Sequence, residues 1–520
     1  MLARSASKTH FACFLLWISG PRYAWMRPWR SPLDRPLHLI AVFESVNPAR
    51  PVEVLGEFEV AGPDDVDRAV ALATSAQREW ARRPVPARAE LIDRCGRVLA
   101  ERKAELTALV AREAGKILAE AGGDVQEAID MAAFVAGQGR GSWGEVAPSE
   151  LGSKLCWTTR QPVGVVGVIS PWNFPVAIPS WKVFPALLAG NGIVLKPSEL
   201  APCCATAFVS ACRDAGVPAG LINVIHGAGE VGTRLVEHPG VRAISFTGSV
   251  PTGRRVATSA FVSGPRLLSL ELGGKNAMVV LPDADLELVT DGALFGAFGT
   301  AGQRCTSTSR LIVHRDVAES AIEAIRLRAA KLVLGDPLDP GTDVGPVINA
   351  AAASRIEGMI AEGVGDGASV ALGGSRTVVA GCDGGAFVQP TILTGVRPEH
   401  RIARQEVFGP VLAVIEVGSL DEAVEVVNAT EYGLSAAVYT RDINAAMTAI
   451  EAIDTGIVYV NAPTIGAEIH LPFGGTRHTG NGFRDAGRRG LEQFSEIKTV
   501  YVDYSGRLQR AQIDNRPPVS

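Results

Sequence analysis

No apolar run in the chain reaches the roughly 18 residues that a membrane-spanning helix needs, so no membrane association is expected. No cluster of Lys and Arg is long enough to follow a polyanion, and the formal net charge is −5. A nucleic-acid partner is therefore not expected either. Internal repeats and low-complexity tracts are absent, which argues against a solenoid or a disordered scaffold. The eight cysteines, at positions 13, 95, 156, 203, 204, 212, 305 and 382, form no CxxC pair, and no HxxxH accompanies them. That pattern offers neither a zinc site nor a disulfide framework. Scattered thiols point to a reducing compartment, here the cytoplasm, and seven of them are expected to be small buried apolar filler.

What is present is ordinary globular composition, 47% hydrophobic and 20% charged, in 520 residues. That length allows two to four domain-sized units. Residues 1–42 differ from the rest. Arg4, Lys8, Arg22, Arg27, Arg30 and Arg35 face a single acid, Asp34, and Phe11 to Ile18 is mostly apolar. Signal and transit peptides share parts of this pattern, but no small-residue cleavage site closes the run. The segment reads as a poorly ordered or mis-assigned extension, with the fold starting near Phe43.

From Asp64 to about Gly137, apolar residues recur at spacings of three and four, which predicts helices. After Pro162, short β-branched runs alternate with helical stretches. The predicted strands are Val163–Ile169, Gly192–Leu195, Leu221–Ile225 and Ala243–Phe246. The helices between them are Trp181–Leu188, Ala205–Ala215, Glu230–Glu237 and Gly253–Ser259. Such alternation implies βαβ units and a parallel sheet covered by helices. Ligands bind these sheets at the carboxyl ends of the strands, and here those ends carry Pro171-Trp172-Asn173, Lys196-Pro197-Ser198 and Thr247-Gly248-Ser249. A second α/β region runs from about Gly273 to Asn461. The tail Ile497–Val502 alternates like an edge strand suited to pairing with another subunit. The expected fold class is α/β, with a Rossmann-like cofactor domain (43–145 and 162–272), a second α/β catalytic domain (273–475) and a small β-flap for oligomerisation (146–161 and 485–510).

Several short stretches carry chemistry. Gly227-Ala-Gly229-Glu-Val-Gly232 has the GxGxxG spacing between a strand and a helix, yet no acid follows about 20 residues on; taken alone, a plain strand-to-helix turn is the stronger reading. Lys196-Pro197-Ser198-Glu199 reads either as a capped surface turn or as a ribose grip, in which Glu199 accepts from a 2′-hydroxyl and repels a 2′-phosphate. Phe246-Thr247-Gly248-Ser249 opens a helix whose free N–H groups suit a pyrophosphate. In Gly302-Gln303-Arg304-Cys305-Thr306 a cysteine stands beside an arginine, and nearby positive charge would favour its thiolate. Glu271-Leu-Gly-Gly274 adds a carboxylate at a strand end. Asn173 is an amide in an apolar context and needs a partner. A nucleophile, a base and an amide donor are the parts that acyl-transfer chemistry uses.

Seven motifs in order resemble the aldehyde dehydrogenase superfamily over about Glu44 to Tyr504. They are Pro171-Trp-Asn-Phe-Pro175, Lys196-Pro-Ser-Glu199, Phe246-Thr-Gly-Ser249, Glu271-Leu-Gly-Gly-Lys275, Gly302-Gln-Arg-Cys-Thr306, Glu406-Val-Phe-Gly-Pro410 and Pro472-Phe-Gly-Gly475. The resemblance implies roles. Cys305 is the nucleophile, Glu271 the general base, Asn173 with the Cys305 amide the oxyanion hole, and Lys182 part of a proton relay. Lys196 and Glu199 contact the adenosine ribose of NAD, with NADP as the alternative. Ile169, Trp172, Ser198, Gly229, Phe246 and Ser249 contact the rest of the dinucleotide, and Glu406 and Phe408 place the nicotinamide end. No metal is implied.

Thr159–Pro179 resembles α-ketoglutaric semialdehyde dehydrogenases, whereas Pro463-Thr-Ile-Gly-Ala-Glu468 and His478-Thr-Gly480 resemble antiquitin-like α-aminoadipic semialdehyde dehydrogenases. The second likeness implies substrate contacts at Arg304 and Glu127, and at Gly466 and Ala467. A solvated helix face is the plain alternative for Glu127. The expected activity is oxidation of an acidic semialdehyde to a carboxylic acid through a Cys305 thioester. Broad aldehyde detoxification and a non-catalytic protein that keeps the fold are the rival readings. A homodimer or homotetramer is the expected assembly.

Overall fold

The computed structural model describes residues 41–264 and 266–514, so the basic residues 4–35 lie outside it. The described chain opens with the antiparallel pair Val42–Asn47 and Arg50–Glu59, followed by four helices, Pro63–Arg82, Val85–Glu101, Lys103–Ala114 and Leu118–Gly137. No helix among the described residues is long and apolar enough to cross a membrane.

Two parallel sheets organise the site. The first has five strands in the spatial order Ile222–Val224, Gly192–Pro197, Val165–Ser170, Ala243–Thr247, Leu267–Glu271, and every neighbouring pair is parallel. The chain moves outward from Val165–Ser170 to one side and then returns to build the other. The switch point therefore falls between Val165–Ser170 and Ala243–Thr247, where Ile169 pairs with Phe246; crevices of this kind hold ligands. The Val165–Ser170 and Gly192–Pro197 strands are buried along their whole length, which is why they read as continuous apolar runs rather than alternating ones.

The covering helix predicted at Trp181–Leu188 begins earlier, at Ala177, and runs to Ala189. Pro179 lies in the first turn, where a missing N–H costs nothing, and Asp124 Oδ1 accepts from the Ala177 amide at 2.7 Å.

The second sheet has seven strands, ordered Ser369–Leu372, Thr391–Thr394, Val411–Val417, Thr308–His314, Asn276–Val280, Ser435–Tyr439, Ile457–Val460. Only the first of these edge strands is antiparallel to its neighbour. The last strand of the first sheet ends at Glu271, and the second sheet begins at Asn276. Four residues thus join the carboxyl edge of one sheet to the amino edge of the other. Glu271 lies on the first edge. The loops that enter Thr308–His314 and Val411–Val417, carrying Cys305 and Glu406, lie on the second.

A three-stranded antiparallel sheet projects from this body, formed by Val146–Ala147, Lys154–Pro162 and Ser495–Asp503. Residues 485–494, grouped above with the flap, instead pack into the body. Arg488–Phe494 is a 3-10 turn, and Asn191 Nδ2 donates to the Phe494 carbonyl at 2.8 Å.

Candidate active site

The loop that carries Cys305 is bent unusually hard. Thr300, Ala301 and Gly302 all have positive φ, at 52°, 50° and 68°. For the two residues with a Cβ this costs about 1–2 kcal/mol each, so the surroundings must hold the bend. Both Glu120 carboxylate oxygens accept from the Thr300 amide, at 2.8 and 2.9 Å. Gln303 is buried, and its Oε1 accepts from the Ile348 amide at 2.9 Å. Asn276 Nδ2 donates to the carbonyls of Cys305 (2.8 Å) and Ser307 (2.9 Å). Thr464 donates to the Thr306 carbonyl at 2.7 Å. A Cβ on Gly302 would overlap the Gly409 carbonyl, and one on Gly274 the Cys305 carbonyl. The glycines at these two positions allow main chain to touch main chain.

Cys305 is half-buried, whereas the other six described cysteines are buried, as expected of filler. The expected thiolate is not what the surroundings favour. Burial pushes the Cys305 thiol up to about 12, and the carboxylates of Glu406 and Glu271 add to the rise. The amides of Cys305 and Thr306 point at the sulfur and oppose it. Arg304 does not supply the missing charge, because its guanidinium turns away. Nη2 meets Glu120 at 3.2 Å, Nε donates to the Thr300 hydroxyl at 2.9 Å, and the group lies over the rings of Phe174 and Phe295.

Glu271 is 2% exposed, and neither carboxyl oxygen has a hydrogen-bond partner among the described residues. Burial, with Asp485 as a second cause, holds its carboxyl well above the usual range, while Lys182 and Arg484 oppose the rise. Lys182, also buried, donates to Asp485 Oδ2 at 2.8 Å and to the Ser245 hydroxyl at 3.0 Å. Gln493 closes the network by donating to Asp485 Oδ1 and accepting from Ser245. Lys182 therefore acts on Glu271 as a nearby charge, not through a hydrogen bond.

Asn173 is buried just past the Val165–Ser170 strand, and its Nδ2 donates to the Gln303 carbonyl at 3.0 Å, within the bend that presents Cys305. Its second N–H is left for a further acceptor.

The switch-point crevice has the features a dinucleotide would need. At the strand ends, the hydroxyls of Ser170 and Thr247 are buried without a partner. Lys196 Nζ lies 3.4 Å from Glu199 Oε2, with the lysine buried and the glutamate half exposed. Ser198 Oγ accepts from the Leu200 amide and shapes the turn. Ser249 stands at the start of the Val250–Val262 helix. In the GxGxxG stretch, Gly229 faces open space. Gly232, one turn on, faces Ile169 and Lys196, where a Cβ would make ordinary contacts at 3.9 and 4.0 Å. Trp172 meets Phe408 edge to face at 5.5 Å. Burial raises the Glu406 carboxyl to about 7, although its Oε1 accepts from the Gly274 amide.

At the other end, Glu127 has its carboxyl raised to about 8 by burial and by Asp124. The ion-pair partner of Arg304 is Glu120, two turns earlier on the same helix, rather than Glu127. Gly466, with φ +107°, and Ala467 follow Thr464 on the loop that braces the Cys305 segment. Asn276, Gln303, Glu120 and Thr464 escaped the sequence reading. Their roles depend on main-chain donors and acceptors far away in the chain, and nothing in their local pattern signals that.

Residues 39–500 match the description of the aldehyde dehydrogenase family. An α-ketoglutaric semialdehyde dehydrogenase of Bacillus subtilis is 39% identical over 458 residues, 88% of this chain and 93% of the relative. A betaine aldehyde dehydrogenase of Brucella anthropi is 38% identical over 454 residues, 87% and 92% of the two chains. Among solved structures, the betaine aldehyde dehydrogenase of Staphylococcus aureus in complex with NAD+ aligns with a TM-score of 0.87 at 32% identity, covering 90% and 92%. With its fold and these matches in agreement over most of its length, the chain belongs to the aldehyde dehydrogenase family.

Proposed function

We propose that this enzyme oxidises an acidic semialdehyde to its carboxylic acid through a Cys305 thioester, with NAD as hydride acceptor and water as the second nucleophile. The observation that carries the substrate class is the state of Arg304. Its Nε and Nη2 are fixed, while Nη1 has no hydrogen-bond partner among the described residues. It is a cation clamped against Glu120 and Thr300 with donors to spare, and guanidinium donors suit a carboxylate. The named α-ketoglutaric semialdehyde relatives support the same class.

The geometry supports the following chemistry. Glu271, a carboxylate whose basicity is raised by burial, accepts the thiol proton, and the sulfur attacks the aldehyde carbon. The alkoxide that forms takes hydrogen bonds from Asn173 Nδ2 and the Cys305 amide; removal of one such donor costs about 3–4 kcal/mol in comparable sites. A bound nicotinamide would accept the hydride, and as the hydride leaves, the C=O bond reforms and Cys305 is left as a thioester. Once that first proton has passed to solvent, Glu271 takes a proton from water as the water oxygen attacks the thioester carbon. The C–S bond breaks, and sulfur leaves with its electron pair. In sum, one aldehyde and one water become a carboxylate and two protons, with two electrons leaving as hydride. Lys196 and Glu199 would hold the adenosine ribose, Trp172 and Ser249 the middle of the dinucleotide, and Glu406 and Phe408 the nicotinamide end. The half-exposed Glu199 carboxylate disfavours a 2′-phosphate.

The betaine aldehyde relatives suggest a cationic aldehyde instead. Glu127 argues against it, since a carboxyl raised to about 8 is largely neutral at pH 7 and offers little to a quaternary ammonium. A panel of α-ketoglutaric semialdehyde, α-aminoadipic semialdehyde, betaine aldehyde and hexanal, each with NAD and NADP, tests both points. The best acidic semialdehyde is expected to exceed hexanal and betaine aldehyde at least tenfold in kcat/KM with NAD. Equal activity on hexanal would sink the substrate class, and a tenfold NADP preference would sink the reading of Glu199.

A further inference from the structure

Behind Asn173 lies a buried ion pair that the chemistry above does not use. Lys116, 1% exposed, follows Gly115, which ends the Lys103–Ala114 helix in a left-handed turn at φ +72°. Its ammonium is fully engaged: Nζ donates to Asp124 Oδ2 at 3.0 Å and to the Asn173 carbonyl at 3.1 Å, and sits 3.5 Å from the centroid of the Phe174 ring. The other oxygen of Asp124 accepts from the Ala177 amide at 2.7 Å. One lysine and one aspartate thus grip the 173–177 turn at three points: the main chain of Asn173, the ring of Phe174 and the first amide of the following helix.

Such a pair is costly to bury, and replacing it with packed apolar residues is often neutral or stabilising. Stability is therefore a poor reason for it. What the pair does provide is directional. The Asn173 side chain projects from the backbone unit whose carbonyl Lys116 holds, and its amide must meet an oxyanion to within a few tenths of an ångström. An error of about 1 Å in such a donor costs on the order of 100-fold in rate.

We propose that Lys116, fixed by Asp124, is a positioning residue that aims the Asn173 amide. This rests on Asn173 being the oxyanion donor, and the experiment separates the two claims. The readout is the pre-steady-state burst of NADH with α-ketoglutaric semialdehyde at saturating NAD. It is measured on the full-length enzyme and normalised to titrated Cys305 thiol, so that loss of folded protein does not count. Lys116→Met is expected to slow the burst about 10- to 100-fold with the Kd for NAD unchanged. Lys116→Arg should recover part of the rate. In an Asn173→Ala background, Lys116→Met should add little, because its effect passes through the missing amide. Asp124→Asn, which keeps the side-chain shape, should show the same pattern more weakly and serves if Lys116→Met does not fold. A full additional loss in the Asn173→Ala background, or an unchanged burst in Lys116→Met, would overturn the proposal. A normal burst in Asn173→Ala alone would instead overturn the oxyanion role of Asn173, and the proposal with it.

Discussion

At the scale of single residues, the site is a set of acids whose loss of a proton burial makes harder. The Cys305 thiol lies near 12 because it is buried and faces two carboxylates. In the enzyme without cofactor, iodoacetamide should therefore alkylate Cys305 more slowly at pH 8 than an exposed thiol, since only the thiolate reacts. Removing a carboxylate lowers the thiol, so Glu406→Gln and Glu271→Gln should each speed alkylation. Glu406→Gln should have the larger effect, because its contribution ranks above that of Glu271. An unchanged rate in both variants would show that the carboxylates do not govern the sulfur. Glu127 gives a second expectation, with the sign set by its pKa of about 8. Below that pH the carboxyl is neutral and tolerates an acidic substrate; above it the carboxylate repels one. KM for an acidic semialdehyde should rise as pH passes 8 while KM for hexanal stays flat, and Glu127→Gln should abolish the difference.

At the scale of elements, the Cys305 bend shows what a sequence can and cannot declare. Gly302 was legible as part of a motif, but its reason is a main-chain contact: φ is +68°, and any Cβ would run into the Gly409 carbonyl. Gly302→Ala must therefore push the Cys305 loop away from the Glu406–Pro410 segment. Activity should fall at least about 100-fold, with a stability loss of roughly 1–3 kcal/mol in urea unfolding. Near-normal kcat would mean that the two segments yield without cost. The strands were legible because a parallel sheet buried on both faces writes itself as β-branched runs, as in Val165–Ser170. Helix starts were less so, because the onset at Ala177 depends on Asp124, 53 residues away along the chain. Arg304 is the sharpest failure. Its neighbour in sequence is the nucleophile, which suggested an activating charge, yet its partner is Glu120, 184 positions away. Adjacency along a chain says little about where a long side chain points.

At the scale of the whole molecule, the projecting three-stranded sheet is the part that the body does not account for. Ser495–Asp503 pairs with Lys154–Pro162 on one side only, so its other edge offers free N–H and C=O groups. Both faces carry exposed apolar side chains: Val146 is 77% exposed, Ile497 64% and Tyr501 66%. A lone sheet of this kind, apolar on its faces and open at an edge, is a surface that soluble proteins cover. A second copy of the chain is the expected cover, by addition of strand to sheet. The alternating pattern of residues 497–502 announced the strand, although it could not show that both faces would stay open. The wild-type protein is accordingly expected to run as a dimer or tetramer in size-exclusion chromatography with light scattering. The double variant Ile497→Lys, Tyr501→Lys should shift it toward smaller species at low micromolar concentration. Both residues are exposed and lie away from Cys305 and Glu271, so the dissociated form should keep its far-UV circular dichroism. An unchanged mass for the double variant would mean that this sheet is not where the copies meet.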